Sequence, residues 1–152
     1  MNVKSKIFLI VLLTLYSCNG SNNNKMQRSK TFEVIKHFNP DANLSEKFVV
    51  LVIPLDGCKS CIDESITLIP KVIKTPGLVI IPDRHKRRIE NYINEVGIQK
   101  DLIVFDTIQL SFTNNIVDIN PRIILIENEE IIYSNEIGYA TIEEIQTELC
   151  ML

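Results

Sequence analysis

The chain has 152 residues, a formal charge of −3 and four cysteines. That length allows one domain around a single core. Mild acidity and the lack of a long basic stripe speak against nucleic-acid binding, and the one basic cluster, Arg84-His85-Lys86-Arg87-Arg88, reads as the solvated face of a helix rather than a phosphate site.

From the N-terminus, Lys4 and Lys6 precede an uncharged apolar stretch, Ile7 to Leu15. It is too short for a spanning helix, which needs ~20 apolar residues, and it has the form of a secretory-signal core. Leu15-Tyr16-Ser17-Cys18 follows and resembles the lipobox of bacterial lipoproteins. The resemblance implies cleavage before Cys18, lipid on its thiol, and anchoring in the bacterial cell envelope on the extracytoplasmic side. Tyr16 departs from the small or aliphatic residues usual at its position; the bland alternative is an uncleaved anchor with an incidental Cys18. On the lipoprotein reading residues 1–17 are the signal peptide. The mature chain then has 135 residues and a formal charge of −5, because Lys4 and Lys6 are lost. Beyond Cys18, Asn19 to Lys30 (NGSNNNKMQRSK) is polar and reads as a flexible tether, so that residues 18–30 form the spacer. Fully extended, it spans roughly 40 Å. A single folded domain is expected over residues 31–152.

Thr31 to Phe38 is ambiguous between a short strand and a helical turn, and Asn39-Pro40-Asp41 breaks it. Phe48 to Pro54, a near-continuous apolar run rich in valine, suits a strand buried on both faces. Ile62, Ile66, Ile69 and Ile73 mark one face of an amphipathic helix, with Asp63 and Glu64 expected in its first turn and Lys71 and Lys74 in its last. Pro70 should kink or shorten that helix. Gly77 to Pro82 is a second buried strand, and residues 85–96 form a second helix with Ile89, Ile93 and Val96 inward and Gly97 as C-cap. Leu102 to Phe105 is a third strand, followed by a short helix within 108–117. Arg122 to Glu127 and Ile131 to Ser134 flank Asn128-Glu129-Glu130 as an antiparallel hairpin. Thr141, with Glu144 in capping-box register, opens a last helix. Strands alternating with helices, then a hairpin and a closing helix, indicate an α/β fold: a mixed central sheet flanked by helices.

Cys58 and Cys61 lie after the first strand, where a helix begins. Unpaired backbone N–H groups and the positive helix end stabilise a thiolate there and lower its pKa. The first cysteine gains most, which makes Cys58 the expected nucleophile and Cys61, one turn inward, the resolving thiol. Lys59 favours the thiolate while Asp56, Asp63 and Glu64 oppose it, so the net shift has no sign at this stage. A metal would need two more ligands from His37, His85 and Cys150, none at finger-like spacing. A static Cys58–Cys61 bridge closes too short a loop for much chain-entropy stabilisation. A bridge from either cysteine to Cys150 stays open, although Cys150 reads as an ordinary half-buried residue.

The layout from about Phe48 onward resembles thioredoxin-like proteins, in particular membrane-anchored extracytoplasmic thiol-disulfide oxidoreductases. Two motifs carry the resemblance: the CxxC of Cys58 and Cys61 after the first core strand, and the stretch VDINPRIILIENEEIIYSNEIG. The second implies that Pro121 is a cis-proline and that Asn120 before it pairs with a substrate peptide, in a loop packed against the cysteines. Further implications are catalytic Cys58 and Cys61, no soluble cofactor and no metal. Its partners would be protein thiols or disulfides and a redox partner protein. Three positions depart from the pattern. Gly57 stands where the family usually has Trp, Val52 where thioredoxins proper bury an acid, and Pro70 falls later than the usual helix proline. The rival readings are a non-catalytic thioredoxin-like scaffold lipoprotein and a metallochaperone using the CxxC.

Overall fold

The computed structural model describes residues 25–72, 74–97, 103–138 and 142–150. Five strands, β1 (Phe48–Val52), β2 (Gly77–Pro82), β3 (Ile103–Asp106), β4 (Arg122–Glu127) and β5 (Glu130–Glu136), form one sheet in the order β3-β2-β1-β4-β5. β1, β2 and β3 are parallel, and β4 and β5 run antiparallel to their neighbours. The helices are α1 (residues 25–38), α2 (Lys59–Val72), α3 (Lys86–Val96), α4 (Leu110–Thr113) and α5 (Ile142–Cys150). The mixed sheet flanked by helices expected from the sequence is what forms.

β1 is central, and all five of its residues are buried. Strand alternation divides the apolar run between two cores. Val49, Leu51 and Ile53 join Ile62, Leu68, Ile69 and Val72 of α2, Ile89 and Ile93 of α3, and Ile145 of α5. Phe48, Val50 and Val52 face the opposite layer, with Val34 and Ile35 of α1, Ile116 and Val117. Each buried aliphatic side chain contributes about 1.5–3 kcal/mol, so β1 is the element least tolerant of truncation.

Four local expectations change. α1 reaches back to residue 25, into the segment read as tether, because Val34 and Ile35 bury against the sheet and Arg28 pairs with Glu130 across the fold. Residues 31–38 are helical. α2 starts at Lys59, so Asp63 and Glu64 lie beyond its first turn, which holds no acid. Its buried stripe is Cys61, Ile62, Ser65, Leu68, Ile69 and Val72, and the helix ends two residues after Pro70. β3 is shifted one residue, to end on Asp106, and β5 is longer at both ends. Gly97 caps α3 at φ 76°, its N–H bonded to the Ile93 carbonyl. Asn128 and Glu129 both adopt positive φ, the two-residue geometry that matches hairpin twist. Thr141 and Cys18 lie outside the described residues.

Candidate redox site

Pro54 ends the run of β1, and the chain turns through Leu55, Asp56 and Gly57 into α2. The Ile62 N–H donates to the Cys58 carbonyl at 3.0 Å, which places Cys58 at the N-cap of α2 and Cys61 within its first turn. Both thiols are free; Cys58 is partly exposed and Cys61 is buried at 6%. This geometry separates two chemically identical groups. Hydrogen bonding from the Cys61 side chain, then from the Ser60 hydroxyl 3.0 Å from Cys58 Sγ, holds the Cys58 thiol below its usual value. The same bond with Cys58, followed by burial, pushes the Cys61 thiol up. The sign left open by the sequence is therefore set inside the motif, by Cys61 and Ser60.

Glu64, one turn beyond Cys61, adds to the rise at Cys61, and its Oε2 is buried without a hydrogen-bond partner. Tyr92 of α3 is pushed up to about 12 by burial and by the Asp63 and Glu95 carboxylates, so it stays protonated through the neutral range. Val52, at the position where thioredoxins proper carry an acid, is fully buried in the apolar layer on the α1 side of the sheet.

The second motif does come to the cysteines. A Cβ placed on Gly57 would lie 1.9 Å from the Ile119 carbonyl oxygen. The backbone ahead of Pro121 thus rests on the residue preceding Cys58, and the space that a Trp side chain would need is filled by main chain. The Asn120 amide donates to Glu136 Oε2 at 3.1 Å, and Arg122 Nη2 donates to Glu136 Oε1 at 2.8 Å. Those two bonds hold the Glu136 carboxyl below the usual carboxylate range and fasten the loop to β5.

The cis geometry expected at Pro121 is corrected: no cis peptide bond occurs among the described residues, and the Asn120–Pro121 bond is trans. Trans is intrinsically favoured even before proline, by about 0.5–1 kcal/mol. Pro121 stands just ahead of β4, where its missing N–H removes no ladder bond. Its carbonyl accepts the Ile137 N–H at 2.7 Å, so the entry to the strand is satisfied in this form.

The sequence reading missed one residue at this site. Arg88 Nη2 donates to the Leu55 carbonyl at 2.8 Å, and its Nη1 lies 2.6 Å from Asp56 Oδ1 and 3.2 Å from Asp83 Oδ2. Within the basic cluster, then, Arg88 is a structural tie to the cysteine loop. A charge run carries no sign of which member is used, and nothing local to residue 88 pointed to it. Among the described residues, no group of three or more His, Cys, Asp or Glu is arranged to hold a metal, and no helix is long and apolar enough to cross a membrane.

A mixed five-stranded sheet, a CxxC at the head of the helix after its central strand, and a proline-led hairpin strand beside it define the thioredoxin-like fold. Solved structures share it, among them two assigned to thiol-disulfide exchange. One assigned as the thiol:disulfide interchange protein DsbE of Chlorobium tepidum is 11% identical, with a TM-score of 0.53 over 71% of this chain and 80% of that one. One assigned as a thiol-disulfide oxidoreductase of Bacteroides vulgatus is 13% identical, with a TM-score of 0.51 over 74% and 76%. StoA of Bacillus subtilis is 17% identical, with a TM-score of 0.50 over 71% and 84%. No protein-family profile and no curated protein sequence matches the chain.

Proposed function

We propose that this chain is a lipid-anchored, extracytoplasmic thiol-disulfide oxidoreductase that exchanges disulfides with protein substrates through Cys58 and Cys61. The observation that carries the reading is the asymmetry of the pair: an accessible thiol favoured as thiolate beside a buried one favoured as thiol. In the reducing direction the Cys58 thiolate attacks a substrate disulfide, forming one S–S bond as the substrate's first sulfur leaves as thiolate. Cys61, once deprotonated, attacks Cys58 Sγ and releases the substrate's second sulfur. The substrate ends as a dithiol and the protein as the Cys58–Cys61 disulfide. A redox partner protein resets the pair, and oxidation of a substrate is the same sequence reversed. Substrate peptide lies along the backbone of the Asn120–Pro121 loop, a role supported by that loop's seat on Gly57. The anchor is Cys18, on the strength of Leu15-Tyr16-Ser17-Cys18.

Trapping in cells tests the assignment. Cys61→Ser should accumulate mixed disulfides, seen as reducible high-mass bands on non-reducing gels of alkylated extracts, and Cys58→Ser should not. Equal trapping by both variants, or by neither, sinks the nucleophile assignment and leaves a static scaffold. Stoichiometric copper or zinc retained after desalting would instead favour the metallochaperone.

A further inference from the structure

We propose that Arg88 is a positioning residue of the redox loop, tying Leu55 and Asp56 to the end of β2 and offsetting the Asp56 charge two residues before Cys58. The inference rests on the reading of Cys58 as the nucleophile. Its ground is the geometry of one guanidinium reaching three groups from two separate segments. Nη2 holds the Leu55 carbonyl, while Nη1 lies against the carboxylates of Asp56 and Asp83. Asp83 is itself immobilised. Its side chain is 4% exposed, and its Oδ1 accepts the His85 N–H at 2.8 Å. The anchor is thus buried, and the far end of the tie is the exposed Asp56, whose side chain is 81% accessible.

Geometry explains why the residue is arginine. A planar fork presents two nitrogens in fixed relation, whereas lysine offers one point of attachment. The charge argument follows from position. The charged groups on the elements around Cys58 are Asp56 and Lys59 beside it, Asp63 and Glu64 further along α2, Arg88 from α3, Asp118 on the facing loop, and the paired Arg122 and Glu136 of β4 and β5. Asp56, two residues from Cys58, has the Arg88 guanidinium within 3 Å. With Arg88 in place, the Asp56 carboxylate faces a cation that it shares with the buried Asp83. Without it, the solvent-exposed Asp56 carboxylate two residues away opposes the thiolate that must form, and its repulsion through water disfavours that thiolate by up to about threefold.

The test is the rate at which iodoacetamide alkylates Cys58 in the reduced full chain at pH 7, with peptide mass spectrometry separating Cys58 from the other cysteines. Arg88→Gln should slow the reaction by about threefold. Asp56→Asn alone should speed it by up to about threefold, because it removes a carboxylate and leaves Arg88 to Asp83. The double variant Arg88→Gln/Asp56→Asn should return to the wild-type rate, a rescue that loss of packing alone would not give. An unchanged rate in Arg88→Gln, equal slowing in the double variant, or slowing by Asp56→Asn overturns the proposal. Should Arg88→Gln fail to fold, Arg88→Lys keeps the charge and loses the fork. It should speed amide hydrogen exchange over residues 55–58, and unchanged exchange there overturns the tie. Alkylation reads the Cys58 thiolate itself, so these outcomes are independent of whether any protein disulfide is exchanged.

Discussion

Replacing Gly57 with alanine puts a single methyl group where the Ile119 carbonyl oxygen now sits. The built Cβ falls 1.9 Å from that oxygen, and ordinary contact begins at 3.4 Å, so one backbone segment must retreat by about 1.5 Å. Neither side yields cheaply. Gly57 is held between the buried Pro54 and the N-cap of α2, and the Ile119 segment is fastened by the Asn120 and Arg122 bonds to Glu136. Overpacking of this kind costs about 2–3 kcal/mol. The unfolded chain loses freedom on Gly→Ala and returns about 0.4–1 kcal/mol. The net expectation is a loss of about 1–2.6 kcal/mol, with no left-handed backbone strain in it. In urea, at an m-value of about 2 kcal/mol/M, the midpoint of the reduced protein falls by about 0.5–1.3 M at constant m. Gly138→Ala is the control, since nothing lies within 4 Å of a Cβ there. A midpoint for Gly57→Ala within about 0.2 M of wild type, or equal to that of Gly138→Ala, would show that the loop does not press on Gly57 and refute the argument.

Ser60→Ala removes a donor 3.0 Å from Cys58 Sγ. The depressed Cys58 pKa should rise toward the ordinary thiol value. Thiolate is lost as pH falls through that pKa, so the alkylation profile moves to higher pH and the neutral-pH rate drops. A superimposable profile contradicts this. Asp106 is fully buried and accepts the N–H groups of Leu110 and Ser111, each at 2.8 Å. Asp106→Ala strands both and should cost about 2–3 kcal/mol, a melting-temperature fall of roughly 6–12 °C in a thermal scan. Cys18→Ser should leave a larger, unlipidated precursor on gels of membrane fractions; normal processing and membrane recovery would end the lipoprotein reading.

Legibility in the sequence followed punctuation. β2 and β4 run over the residues expected, because Gly77 and Pro82 bracket one and Pro121 and the Asn128 turn bracket the other. The cysteine pair was placed correctly for the same reason, lying between a strand and a periodic helix. The start of α2 was read late because its first turn, Lys59-Ser60, is polar and the isoleucine period begins only at Ile62. α1 was hidden by composition: Lys25 to Lys30 looks like linker, and what makes it helical is a sheet and a Glu130 that lie far along the chain. The contacts of Gly57 with Ile119 and of Arg88 with Leu55 and Asp56 join distant segments, and neither residue advertises its partner. Pro121 misled in another way. Its place in the hairpin was legible, but the trans strand entry is closed by the Ile137 N–H from just past β5, a partner that the local sequence around Pro121 does not name.

The cysteine loop and the facing proline loop are each fixed to the scaffold by an arginine–carboxylate contact near the surface, Arg88 with Asp56 on one side and Arg122 with Glu136 on the other. Electrolyte weakens such contacts: the Debye length is about 8 Å at physiological ionic strength and about 3 Å at 1 M. The two walls of the site therefore share a sensitivity that the apolar cores beneath them lack. Added salt should loosen the frame around Cys58 while leaving the sheet intact, so the reactivity of Cys58 toward even an uncharged reagent should vary with ionic strength.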